Sequence, residues 1–385
     1  MTKSKLKISF VANTSWSIYN FRLEVAQHFK SLGHTIYVIA PRDKHSEKLI
    51  AEGFIFIESS VKPYSNNPLE ELRYFYFLLK AYHQNKFDHI FHYTIKSNIY
   101  GSVAAKLLGL RSTAIVTGLG RLLNMNKGRR KSLIHGMYKV AVKTTSHLWF
   151  LNKEDQKYFF QNKISGSKTS KIIPSEGVNL NKYFKTKKKD FRSSSFLFAG
   201  RLLKEKGILL FIKAAEIVKN HYPHVRFDIV GFIDSKDNDS ISQGELLDYQ
   251  NREIVKYHGD TEDIRPYIAK TNCVVLSSTY GEGISRILLE AAAMETPIIA
   301  SKNRGCEDVV IDGYNGFLCK KEDLFHLVDQ MMAFISLDVE AKVVMGRNGR
   351  KLVKKEYDVA QVITVYEGHI GVNMLKKSKI KSLKP

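Results

Sequence analysis

The chain has 385 residues, 60 Lys+Arg against 38 Asp+Glu, a formal net charge of +22, 44% hydrophobic residues and three cysteines. That length predicts two domains, each with its own core, and 22 Phe with 19 Tyr exclude a disordered chain. Cys273, Cys306 and Cys319 are few and odd in number, which excludes a disulfide scaffold and suits a reducing compartment. No apolar run is long enough to span a bilayer, and the opening residues run into a strand pattern without a signal-peptide profile.

In chain order, the pattern predicts a buried strand over 7–12, a helix over 21–32 stopped at Gly33, and further strands over 35–40, 54–58, 89–93, 113–116 and 148–151. Helical patterns over 69–84 and 99–108 lie between them. Such alternation gives a parallel sheet covered on both faces. A helix after residue 131 places Leu133, Ile134, Met137, Val140 and Ala141 on one face, a stripe for either a core or a membrane interface. Residues 186–195 are polar and aperiodic and read as a linker. The alternation then restarts, with strands over 196–199, 225–230, 254–257, 274–276, 298–300 and 317–318 and helices over 209–220, 245–251 and 285–294. The expected organisation is a first domain over 1–185, a second over 196–360, and a helical, basic segment over 361–385 able to pack back on the first.

The charge is one-sided. Residues 1–190 hold 32 Lys/Arg and 12 Asp/Glu, a net of +20. A field of that kind attracts a polyanion, whether nucleic acid, an anionic membrane or a phosphorylated substrate, or it is a solubilising surface. The densest patch is Lys127, Arg129, Arg130 and Lys131, continued by Lys139 and Lys143. Tyr138 is the lone aromatic among these residues, which disfavours RNA binding by base stacking.

Two loops carry residues able to hold a diphosphate. In the first, Gly200 lets the chain turn at a strand end, Arg201 offers a planar bidentate cation, and Lys206 a point cation. An ordinary loop with surface cations fits the same pattern. In the second, Gly281 and Gly283 open a loop before a helix that Ser285 can cap. Glu282 and Glu290 straddle that helix start and can hold two hydroxyl-rich parts of one ligand. The alternative is a helix-dipole partner and an exposed helix charge. Asp237-Asn238-Asp239 matches an Asp-x-Asp metal pattern but sits in a polar stretch and reads as a solvated loop. No His/Cys set has zinc spacing.

Together GRLLKEKG at 200–207, EGISRILLEAAAMETPIIAS at 282–301 and GCEDVVIDGYNGFL at 305–318 resemble retaining family-4 glycosyltransferases. HYTIKSNIYGSVAAKLLG at 92–109 and VTGLGRL at 116–122 resemble them more loosely. The resemblance is strongest to bacterial enzymes that extend polyprenyl-diphosphate-linked glycans for capsule, O-antigen or lipid-linked glycan assembly. It implies the α/β GT-B fold, two doubly wound Rossmann-like domains facing each other across a cleft. It implies a UDP-sugar donor, no further cofactor and no metal, and a peripheral place on the cytoplasmic face of the membrane. Arg201 and Lys206 would bind the donor diphosphate, and Glu282 the donor-sugar hydroxyls. Backbone at Gly283, Ile284 and Ser285 would support the distal phosphate, and Glu290 would take the ribose. Gly200, Gly231, His258 and Gly259 would lie near the nucleotide. Asn13, Thr14, Lys96, Gly118 and Arg121 would face the cleft from the first domain. Thr117 stands where many relatives have His, and Glu295 where they have the glycine that ends the helix. The rival readings are a nucleotide-sugar epimerase on the same fold and a basic nucleic-acid-binding protein.

Overall fold

The computed structural model describes residues 5–60, 67–119, 128–166, 170–185, 194–234, 237–279 and 283–381. Most of the expected linker, 186–193, lies outside the described residues. The chain forms two compact units, one of residues 1–176 with 359–385, the other of residues 177–358.

The first unit holds a seven-stranded sheet in the order β3-β2-β1-β4-β5-β6-β7. Its strands are β1 (Lys7–Val11), β2 (Thr35–Ala40), β3 (Ile55–Glu58), β4 (His89–Tyr93), β5 (Ser112–Val116), β6 (His147–Phe150) and β7 (Ser170–Ile172). All neighbouring pairs are parallel. The helices are α1 (Ser15–Ser31), α2 (Ser46–Ala51), α3 (Pro68–Asn85), α4 (Ser102–Leu107), α5 (Arg129–Thr144), α6 (Lys153–Gln161) and α13 (Val359–Lys381), the last reached after the second unit.

Strand alternation sorts these helices into two layers. Phe10, Phe91, Ile115 and Trp149 face a core shared with Val25 and Phe29 of α1 and with Val362, Tyr366 and Ile370 of α13. Val11, Ile39 and Ile90 face the opposite way, onto Tyr74 and Leu78 of α3 and Ala104 of α4. Ala114, Val116 and Phe150 share that second face, under Tyr138 and Ala141 of α5 and Phe159 of α6. Tyr100 packs against both of these latter clusters, so α3 to α6 form one layer. The helix expected from 99 begins instead as a π-helical turn, Ser97–Gly101, and continues as α4. Gly101 is required there, since a Cβ would lie 2.4 Å from His92 Nε2. The first helix starts six residues before its expected place, because Thr14 accepts from the Ser17 N–H at 3.2 Å as its N-cap.

The second unit repeats the plan, with a parallel sheet in the order β10-β9-β8-β11-β12-β13. Its strands are β8 (Ser195–Ala199), β9 (Arg226–Val230), β10 (Lys256–Tyr257), β11 (Cys273–Leu276), β12 (Ile298–Ser301) and β13 (Gly316–Cys319). Its helices are α7 (Ile208–His221), α8 (Gln243–Asn251), α9 (Arg265–Lys270), α10 (Arg286–Ala293), α11 (Leu324–Ser336) and α12 (Val339–Glu356). In both sheets the order reverses beside the first strand. An α/β sheet binds ligands at that point, beyond the C-terminal strand ends.

Helix α10 ends in a Schellman arrangement: Thr296 N donates to Ala291 O (2.9 Å) and Glu295 N to Ala292 O (3.1 Å). Glu295 takes the left-handed position at φ 54° that glycine normally fills. The Lys185 ammonium holds its carboxylate at 2.9 Å, which offsets part of the roughly 1–2 kcal/mol cost of that conformation.

Candidate functional site

At the C-terminal edge of the second sheet three glycines line up. Gly200, Gly231 and Gly259 follow β8, β9 and β10 at φ 142°, 149° and 77°. Gly200 N donates to Val230 O (3.0 Å) and Gly231 N to Gly259 O (2.8 Å). A Cβ on Gly231 would lie 1.7 Å from Gly200 O, so no side chain fits and the two strand ends pack backbone to backbone. His258 Nε2 meets Asp228 Oδ1 at 2.6 Å, which fixes the ring beside this row.

Arg201 leaves β8 half-exposed and makes no side-chain hydrogen bond or ion pair among the described residues. A short 3-10 turn, Lys204–Lys206, follows, and Gly207 (φ 82°) closes it. A Cβ on Gly207 would lie 1.9 Å from Ser277 O. The turn is therefore pressed against the exit of β11, where Thr279 N donates to Glu205 O (2.8 Å) and Ser277 Oγ to Gly207 O (2.8 Å). The strand that leads to α10 and the loop that carries Arg201 and Lys206 are thus hydrogen-bonded together.

Ser285 occupies the N-cap of α10, but its hydroxyl makes no capping bond, and the first turn holds no acidic residue. Leu288 N and Leu289 N donate to Ser285 O (both 3.2 Å), while the N–H groups ahead of them lie at the positive end of the helix dipole, which attracts anions. Gly283 and Ile284, half-buried, lead into that turn. Glu290 is not an exposed helix charge. It is 7% exposed, and its Oε1 accepts from Arg286 Nε at 2.9 Å. Burial, reinforced by the Glu290 charge, raises the Tyr183 hydroxyl above its ordinary range, so Tyr183 is a protonated neighbour of that carboxylate. Glu282, the paired carboxylate expected from sequence, lies outside the described residues, as do Arg121 and Lys127.

The first unit carries its own recess at the C-terminal strand edge, about 220 Å³. Asn13, Lys96 and Gly118 line it, three of the residues expected there, with Thr117. Lys96 is not a free cation: Glu71 of α3 holds its ammonium at 2.5 Å. Thr14 contributes through its cap rather than as a lining group. Sequence reasoning missed Thr94, Asn98 and Tyr138, which also line the recess. Thr94 sits at φ 71°, rare for a β-branched residue, and its buried Oγ1 has no hydrogen-bond partner among the described residues. Strain of this kind, about 1–3 kcal/mol, collects at functional sites. Asn98 bridges to β5, with Nδ2 donating to Ile115 O (2.9 Å) and Oδ1 accepting from Ile115 N (3.2 Å).

The apolar residues of the basic helix α5 divide between core and surface. Tyr138, Ala141 and Val142 are buried, while Leu133 and Val140 are 64% and 51% exposed beside exposed Lys139 and Lys143. Arg129 and Arg130 open the helix and Lys131 follows in its first turn. An outward row on α3, unforeseen from sequence, adds Leu69, Leu72 and Tyr76, each at least 63% exposed. By chain position this unit holds 32 basic and 12 acidic residues, a net of +20. Among the described residues no helix is long and apolar enough to cross a membrane, and no group of His, Cys, Asp and Glu side chains has metal-site geometry.

Residues 181–352 match the family described as glycosyl transferases group 1, and residues 7–152 match the family described as glycosyl transferase 4-like. The chain is 28% identical over 362 residues to the N,N'-diacetylbacillosaminyl-diphospho-undecaprenol alpha-1,3-N-acetylgalactosaminyltransferase of Campylobacter jejuni, covering 89% of this chain and 93% of that one. It is 26% identical to the UDP-Gal:alpha-D-GlcNAc-diphosphoundecaprenol alpha-1,3-galactosyltransferase of Escherichia coli, over 73% of this chain and 77% of that one. Among solved structures, a glycosyltransferase from Rickettsia africae superposes with a TM-score of 0.78 at 16% identity, covering 97% of this chain and 99% of that one. Anabaena HepE bound to UDP-glucose superposes with a TM-score of 0.74 at 20% identity, covering 98% and 100%. With two Rossmann-type sheets, glycine-edged strand ends and matched families over both halves, the chain belongs to the group 1, family-4-type glycosyltransferases of GT-B fold.

Proposed function

We propose that the protein moves a sugar from a UDP-sugar to a polyprenyl-diphosphate-linked glycan, with retention of anomeric configuration. The observation that carries this reading is the hydrogen-bonded junction between the Arg201–Lys206 loop and the exit of β11, which runs on to the uncapped start of α10. Departure of UDP builds negative charge on the distal phosphate. Arg201, Lys206 and the α10 N–H groups supply donors for that charge without reorganising during reaction. Glu282 would hold the donor sugar and Glu290 the ribose. The relatives named for transfer to diphospho-undecaprenol acceptors support the acceptor class. The reading needs no metal and no cofactor beyond the donor.

The acceptor also accounts for the charge. The layer of α3, α4 and α5 turns outward Leu69, Leu72, Tyr76, Leu133 and Val140 among Arg73, Lys80, Lys106, Lys139 and Lys143. Apolar side chains among cations suit a peripheral site on an anionic membrane surface, where each nearby cation is worth roughly 1 kcal/mol. Nucleic acid is not a partner in this reading.

The test is transfer of radiolabelled sugar from a panel of UDP-sugars to a short-chain polyprenyl-diphosphate glycan, with and without excess EDTA. Transfer that survives EDTA is expected; complete loss refutes the metal-free scheme. UDP-sugar turnover without acceptor points instead to an epimerase. Sedimentation with anionic but not neutral vesicles, weakened by salt, is expected of the membrane face.

A further inference from the structure

The Asp-x-Asp motif at 237–239 has a place in the fold that a solvated loop would not give it. Asp239 Oδ2 accepts from the Glu205 N–H at 2.9 Å, and Asp239 O accepts from the Lys204 N–H at 2.8 Å. One residue thereby holds two successive N–H groups at the start of the turn that carries Lys206. The neighbouring chain is locked to the same loop: Ile241 N donates to Leu202 O (2.9 Å), and Ser240 Oγ to Leu202 O (3.3 Å). On the opposite side of the turn, Glu205 O accepts from Thr279 N (2.8 Å), Thr279 Oγ1 (3.1 Å) and Ser278 Oγ (3.3 Å). A single residue, Glu205, is thus gripped through its N–H by Asp239 and through its C=O by the exit of β11.

We propose that Asp239 is a positioning residue for the donor diphosphate: its carboxylate caps the turn 204–206 and so fixes the Arg201 and Lys206 cations relative to the strand that leads to α10. This rests on the nucleotide-sugar reading above. The carboxylate serves as a hydrogen-bond acceptor, not as a metal ligand. A charged acceptor on a backbone N–H is among the stronger hydrogen bonds. Without it the turn keeps its bonds to β11 and the Lys204 N–H bond to the Asp239 carbonyl, but the Glu205 N–H loses its acceptor, and preorganisation of the cations falls.

The experiment compares Asp239→Ala and Asp239→Asn with the unmodified protein. The readouts are UDP affinity by calorimetry with and without EDTA, kcat and KM for the donor, and amide exchange over 204–207. Asp312→Ala is the control, because Asp312 Oδ1 accepts from the Leu318 N–H (2.8 Å) in the same kind of bond at the edge strand β13. Asp239→Ala is expected to weaken UDP binding about tenfold and to speed exchange at Glu205. Asp239→Asn, whose amide oxygen can still accept, is expected to stay within about threefold of the unmodified protein. Asp312→Ala is expected to leave UDP affinity unchanged. Equal loss in the Ala and Asn variants, or UDP binding abolished by EDTA, overturns the capping role in favour of a charge or metal role. Unchanged exchange in Asp239→Ala overturns the brace and leaves the donor assignment standing. Failure of the unmodified protein to bind UDP, with exchange still faster in Asp239→Ala, overturns the donor assignment and the positioning role with it.

Discussion

Mild acid should destabilise the first unit, through buried histidines of its sheet and of α13. His89 opens β4, Thr113 lies in β5, His147 opens β6 and His369 lies on α13. His89 Nε2 and His369 Nε2 both reach Thr113 Oγ1, at 2.9 and 3.1 Å, and His369 packs edge-on against His147 and Trp149, with ring centroids 4.4 and 4.7 Å apart. On the other face, His92 is buried against the Tyr82 hydroxyl at 2.9 Å. Burial pushes His92 down to about 3. Burial, with the His147 and Lys171 charges, does the same to His369, and His89 is lowered in the same direction. In the unfolded chain each titrates near 6.5. Below that value the unfolded state takes up a proton that the folded state refuses, so stability is complete above about pH 6.5 and falls toward pH 3. From pH 7.5 to 5.5 each of His92 and His369 costs about 1.4 kcal/mol, together about 3 kcal/mol. For a unit of roughly 200 residues, that lowers the melting midpoint by roughly 5–11 °C. The assay is tryptophan fluorescence, because both tryptophans, Trp16 and Trp149, lie in this unit and the second unit is silent. His369→Gln should flatten the fall by about 1.4 kcal/mol. A midpoint that moves by less than about 2 °C over this range would refute the reasoning.

Three further outcomes are expected. Arg22, 4% exposed, pairs with Glu176 at 2.7 Å and lies over the Tyr93 ring at 4.4 Å; Glu176→Ala should cost about 3–5 kcal/mol by stranding a buried cation, and Arg22→Met with Glu176→Leu should recover most of it in urea titrations. Removing Arg201 or Lys206 as Ala should lower kcat by about 10²–10³ with little change in melting temperature, since neither side chain is buried; an unchanged kcat in both would remove the diphosphate from this loop. Gly231→Ala, whose methyl would meet Gly200 O at 1.7 Å, should abolish UDP binding detectable by thermal shift, while Gly244→Ala, with open space around it, should bind normally.

Much of the architecture was legible in local patterns. The strands at 35–40 and 89–93 were bounded by the residues that bound them in the fold, because a buried parallel strand must be apolar on both faces. The order of Gly200, Arg201, Lys206, Gly283 and Glu290 also pointed to one sheet edge, since each follows or precedes a readable element. Less visible were α2, α6 and α9, which are only six to nine residues long, and the true start of α1, which depends on one capping hydroxyl.

The α/β class, the repeated strand–helix plan, the one-sided charge and the glycines at the strand ends could all be read before folding. All follow from residue type and short-range spacing. Folding was needed to show which residues of α13 dock on the first unit, namely Val362, Tyr366 and Ile370, that Lys96 is held by Glu71, that Glu290 is buried against Arg286, and that Asp239 caps a turn 34 residues away. Each of these is a pairing between distant residues. A periodic apolar stripe or a lone charge demands a partner, but the energy that selects which one comes from packing and desolvation, and those exist only once the chain has folded.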